Sequence, residues 1–247
     1  MGNKFTIALT ASAVAFSFMS CKKDDKNVFE QEMERSQSAA MNVEIKKLSE
    51  SLKEAKTDIE KSALNTKIAS IQSDKGDVMS AVKSSLEASR LQPENHVSRY
   101  LLGKSYNDLG RYDDAITELR ASVKIKDDFA PAHFELGNSY YKKFKYPDAV
   151  DEYKAAVKLD PNHYQAYNNM GVVQSSLGKF NEAENSFKSV TRVNPGYVFA
   201  YKNLGVLYET KLKNFPLAVE LYKKYLAVSP NCPERNKVRR WIKVLGG

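Results

Sequence analysis

Cysteine is almost missing from this chain, with two in 247 residues, Cys21 and Cys232. A disulfide framework is therefore excluded, and neither residue stands in the sequence setting of a catalytic thiol. Histidine is scarcer than expected of a metal site. The three present, His96, His133 and His163, have no second His or Cys at ligand spacing. No glycine-rich phosphate loop and no Gly-x-Ser-x-Gly stretch occurs. The acidic pairs Asp113-Asp114 and Asp127-Asp128 begin or precede helical segments, where N-capping and dipole compensation account for them. No enzyme activity, cofactor or metal is expected. The net charge is +8, and 233–247 holds five basic residues against one acidic. Half the excess thus sits at one end rather than along a continuous basic stripe, which argues against a nucleic-acid binder.

What the chain does have is a period. Gly103, Gly137, Gly171 and Gly205 stand 34 residues apart. Leu102, Leu136, Met170 and Leu204 precede them, and Tyr106, Tyr140, Gln174 and Tyr208 follow three residues later. Ala115, Ala149 and Ala183 come twelve residues after their glycines, and Ala218 thirteen after the fourth. Leu119, Tyr153, Phe187 and Tyr222 follow, and Pro161, Pro195 and Pro230 end three of the units. Small residues are needed where two helices cross closely, and large apolar residues at helical spacing fill the groove between neighbours. Proline stops a second helix and turns the chain onward. These units resemble the tetratricopeptide repeat from Val97 to Pro230. The resemblance implies an all-α fold, a right-handed superhelical solenoid of helix–turn–helix units.

One period earlier, Ala69, Gly76, Ala81, Ala88 and Pro93 keep the register, so 62–95 is expected to be a degenerate repeat, with Ser85 at its large apolar position. Four units fill 96–232. Val238, Trp241, Ile242 and Leu245 place an apolar stripe on a capping helix over 233–247. In 41–61, Ile45, Leu48, Leu52, Ala55 and Ile59 alternate spacings of three and four among charged residues. That predicts one amphipathic helix packing on the first repeat, or alternatively a stalk or dimer seam.

Residues 1–20 read as a signal segment, Lys4 followed by an apolar run from Phe5 to Met19 that is too short to span a bilayer. Phe18-Met19-Ser20-Cys21 resembles the lipobox of bacterial lipoproteins, which implies lipidation (palmitate included) at Cys21 and a tether over 21–40. Lys22-Lys23-Asp24-Asp25 reads as a short solvated tether, or alternatively as similar to export signals for the outer face of the outer membrane. With the lipobox, the expected location is the cell envelope, lipid-anchored, on either face of the outer membrane.

In the repeat family the first helices line a concave, peptide-binding groove. The resemblance places Tyr100, Phe134, Asn138, Tyr141, Asn168, Asn169, Lys202 and Asn203 there. Asn169-Met170-Gly171 and Asn203-Leu204-Gly205 resemble the asparagine ladder with which a sugar-transferring repeat protein grips peptide backbones, since an amide both donates and accepts. The implied function is a non-enzymatic interaction module binding a peptide segment of another envelope protein, as a monomer or weak dimer. Alternatives are an assembly chaperone or pilotin-type factor of an outer-membrane machine, and a spacer dimerised through 41–61.

Overall fold

The computed structural model describes residues 23–246. Cys21 and the expected signal segment lie outside them. The described residues form twelve helices and no strand, in two units divided between Glu54 and Ala55.

The first unit is helix α1, Lys23–Glu54. Met41, Ile45, Leu48 and Leu52 are half-buried on one face while most other side chains from Glu30 onward are exposed. Two expectations are corrected here. The segment assigned to a tether is helical from Lys23, and the single helix expected over 41–61 is broken. Thr57 is extended, and its hydroxyl accepts from the Glu60 amide at 3.2 Å. Glu60 in turn accepts from the amides of Lys56 and Thr57 at 3.0 and 3.1 Å. This capping box gives the orphan N–H groups of a new helix their partners. The three-four spacing ran across the break because Ile59 happens to keep it, although Ile59 is exposed.

The second unit is five helix pairs and a terminal helix. The pairs are α2 (Asp58–Asp74) with α3 (Val78–Leu91), α4 (His96–Asp108) with α5 (Tyr112–Ile125), and α6 (Ala130–Lys142) with α7 (Tyr146–Leu159). They continue with α8 (Tyr164–Ser176) and α9 (Phe180–Val193), then α10 (Val198–Thr210) and α11 (Phe215–Val228). Each helix packs on the next, and the first helices of neighbouring pairs also touch. The degenerate pair starts at Asp58 rather than at 62. Ala69 stands where the others have glycine and Ser85 where they have a large side chain, and both are fully buried. A methyl gained on one helix is matched by volume lost on the other.

At the other crossings the glycines are obligatory. A Cβ on Gly137 would stand 2.7 Å from Tyr153 Cε1, and one on Gly103 2.5 Å from Leu119 Cγ. Packing at interior density leaves no room for either. The turns after the first helices use a left-handed residue: Gly110 has φ +73°, and its successor Arg111 donates to Tyr106 O at 2.8 Å, closing the helix end. In the α6–α7 turn that conformation falls on Phe144, with φ +59°, and in the α10–α11 turn on Lys213, with φ +54°.

Helix α12, Arg235–Val244, packs on α11. Val238 is fully buried, and Trp241 lies tilted against Tyr222 with ring centroids 5.4 Å apart. The free thiol of Cys232 is buried beside it in the same apolar cluster.

Candidate peptide groove

Because Gly137 is bare, the Tyr153 ring of α7 lies against α6 and its hydroxyl emerges beyond the crossing, donating to Asn138 Oδ1 at 2.8 Å. Burial pushes that hydroxyl's pKa up, so it stays a donor. Asn138 Oδ1 also accepts from Asn169 Nδ2 of α8 at 3.0 Å, and Asn138 Nδ2 donates to Glu135 Oε2 at 3.3 Å. Asn168 Nδ2 donates to Asn169 Oδ1 at 3.3 Å, and Asn203 Nδ2 of α10 donates to Asn168 Oδ1 at 3.0 Å. From the other side Asn107 Nδ2 of α4 reaches Glu135 Oε2 at 3.1 Å and Glu135 O at 3.0 Å. Ser139 Oγ donates to Asn107 Oδ1 at 2.7 Å.

These bonds form one polarised series across four helices. Every amide from Asn203 to Asn138 donates toward Glu135, and Asn107 donates to it from the opposite end. An ionised carboxylate is a pure acceptor, so it sets the direction of the whole series. Burial raises the Glu135 pKa, while the amides of Asn138 and Asn107, and the charge of Lys104, act to lower it.

Along this floor runs a groove of about 590 Å³, lined by Asn107, Glu135, Asn138, Tyr141, Asn169 and Val172 among others. A second hollow of about 260 Å³ lies against α8 and α10, lined by Val172, Ser175, Phe187, Asn203, Val206 and Leu207 among others. Val172 belongs to both.

The expected groove residues divide accordingly. Asn138, Tyr141 and Asn169 line the larger hollow and Asn203 the smaller. Tyr100, Phe134 and Lys202 are turned to other partners. Tyr100 packs edge-on against Phe129, centroids 5.2 Å apart, and burial, with the nearby Glu135, Asp74 and Asp108 carboxylates, raises its hydroxyl pKa to about 12. Phe134 lies 4.5 Å from the His163 ring and 6.1 Å from Tyr153. At this position, three residues before the crossing glycine, a ring leans onto the chain entering the next pair rather than into the groove. Lys202 is ion-paired with Glu234 just before α12. Asn168 is buried within the amide series. Asn138, Asn168, Asn169 and Asn203 thus hold one another along the groove floor.

Glu135 was not among the expected groove residues. Its sign in the sequence is that the equivalent positions in the other units are Leu101, Asn169 and Asn203, so it alone carries charge. Among the described residues no group of three or more His, Cys, Asp or Glu is placed to hold a metal ion.

Helix pairs stacked in chain order around such a groove define a helical-repeat scaffold. Profiles of the tetratricopeptide repeat match residues 103–143, 130–163, 152–185 and 169–234. The chain belongs to the tetratricopeptide-repeat proteins, scaffolds that bind proteins and peptides and are typically not enzymes. Among solved structures it is similar to the MamA protein, at 27% identity and TM-score 0.61 over 71% of this chain and 94% of that one. YrrB, described as a TPR protein with an unusual peptide-binding site, is 21% identical with TM-score 0.64, over 78% and 97% of the two chains. PilF of Pseudomonas aeruginosa shares the fold at 15% identity and TM-score 0.64, over 75% and 88%. Comparison with curated proteins gave no match.

Proposed function

We propose that this chain is a lipid-anchored interaction module of the cell envelope that takes an extended peptide segment of another envelope protein in the groove along α4, α6 and α8. The observation that carries the peptide reading is the larger hollow itself. It is an open trough crossing three helices, floored by amides and walled by Tyr141 and Val172. An extended backbone needs donors and acceptors along its length and apolar walls for alternate side chains. The lipid anchor and envelope partner rest on the Phe18-Met19-Ser20-Cys21 sequence.

Site-specific photo-cross-linking tests the groove. A photoreactive residue at Val172, on the groove wall, is expected to capture a partner that one at Lys154, exposed on α7, does not. Equal capture from both positions would move the binding surface elsewhere. For the anchor, Cys21→Ala is expected to abolish incorporation of an alkyne palmitate and release the chain from sedimented membranes; unchanged labelling would remove it.

A further inference from the structure

The groove's floor contains a carboxylate whose hydrogen bonding is one-sided. Both asparagine donors converge on Glu135 Oε2, at 3.1 Å from Asn107 Nδ2 and 3.3 Å from Asn138 Nδ2. Oε1 takes no hydrogen bond from any described residue, and it is not among the sealed-off polar atoms, which are Gln72 Oε1 and Ser105 Oγ. It therefore remains open to the groove. Glu135 has no Lys or Arg within ion-pair distance among the described residues. Lys104, whose charge acts to lower the Glu135 pKa, donates instead to Ser73 Oγ at 2.8 Å. Asp108 lines the same trough and adds a second negative charge, against which Lys142 on the rim is exposed.

A largely buried carboxylate without a cation is costly, and a charge-assisted hydrogen bond to an incoming group recovers part of that cost. An anion is repelled by Glu135 and Asp108, and an apolar side chain leaves Oε1 dry and unpaired. The free carboxylate oxygen, the fixed amides behind it and the room above it all select the same chemistry.

We propose that Glu135 is the specificity anchor of the groove, and that it receives the guanidinium or ammonium of an arginine or lysine side chain from the bound peptide. This rests on the peptide-groove reading above. Arginine fits better: its fork can donate to Oε1 of Glu135 and to Asn107 Oδ1, which accepts only from Ser139 Oγ, where lysine offers one compact charge. Tyr141 and the Val172 wall then take the stem and the neighbouring residues.

Display of random dodecapeptides on the full-length chain, wild type and Glu135→Gln, tests it. Wild type is expected to enrich peptides with Arg or Lys at one fixed position. Glu135→Gln, which keeps the shape and an acceptor for the two asparagines, is expected to lose that preference while retaining apolar preferences beside it. Replacing the selected arginine by citrulline, its neutral isostere, should then weaken binding by about tenfold or more on wild type and less than about twofold on Glu135→Gln. A consensus lacking a basic position, or one shared by both proteins, overturns the anchor and leaves the groove standing. No consensus from either protein overturns both. Intact melting of Glu135→Gln separates loss of recognition from loss of fold.

Discussion

Tyr153 and Asn138 meet across a helix crossing, hydroxyl to Oδ1 at 2.8 Å, only because Gly137 between them carries no side chain. The same glycine therefore sets the spacing of α6 on α7 and fixes an amide in the groove. Tyr222 uses the Gly205 crossing in the same way to donate to Glu209 at 2.5 Å. Packing and site share one device.

Gly137→Ala tests the packing half. Its Cβ would meet the fully buried Tyr153 ring, which cannot swing away as a flexible chain end could. A loss of about 1–3 kcal/mol in urea unfolding is expected. Tyr153→Phe should cost about 1 kcal/mol, the scale of one hydrogen bond, with the ring packing kept. Wild-type stability in both would contradict the crossing described.

Phe144 is 78% exposed and holds the left-handed turn that Gly110 and Gly178 hold in other pairs. Phe144→Gly relieves a backbone cost of about 1–2 kcal/mol, partly offset by the greater freedom of an unfolded glycine. A net gain near 0.5–1 kcal/mol is expected. Calorimetry showing a lowered melting temperature would mean that the ring contributes more than its edge contact with Tyr146, centroids 6.2 Å apart.

His133 Nδ1 lies 2.7 Å from Glu152 Oε2 and Nε2 lies 2.8 Å from Asp127 O. Both acceptors are satisfied together only by the imidazolium, and the Glu152 hydrogen bond leads in raising its pKa. A raised folded value means that this stabilisation is complete below the ordinary histidine range and is lost as pH rises through the shifted value. His133→Gln is therefore expected to cost about 1–2 kcal/mol at pH 5 and less at pH 9. Denaturant titrations of both proteins across that interval check the sign; a cost that grows with pH would reverse it.

Burial raises the Glu135 pKa, so ionising it costs stability. Wild type and Glu135→Gln should melt alike at about pH 3, below the ordinary carboxyl value, where the carboxyl is protonated in both states. Glu135→Gln should be the more stable by neutral pH, on the order of 1 kcal/mol, because the penalty enters as pH rises from the ordinary carboxyl value through the raised one. A variant less stable at pH 7 would show that the carboxylate holds Asn107 and Asn138 better than an amide does, and would assign it a structural role.

The helix pairs were legible in the sequence because their causes are local and periodic. A small residue every 34 positions, helical spacing of Leu, Tyr and Phe, and turn residues near Gly110 and Gly178 need no knowledge of the partner helix. The capping box Thr57-x-x-Glu60 was equally present, but the continuing spacing of Ile59 masked it. The site was different. Whether an amide at a first-helix position reaches for a peptide or for its neighbour depends on distances between helices that no spacing encodes. Asn169 meets Asn138 from 31 residues away, and Asn203 meets Asn168 from 35. Tyr100 and Phe134 were drawn to the rings of Phe129 and His163, and Lys202 to Glu234, because those partners arrive only when the next unit or α12 docks. Period and register thus lay in the sequence itself. Which side chains stay free to bind was decided by tertiary packing, since hydrogen bonds and ion pairs form with whatever the neighbouring helix brings within about 3 Å.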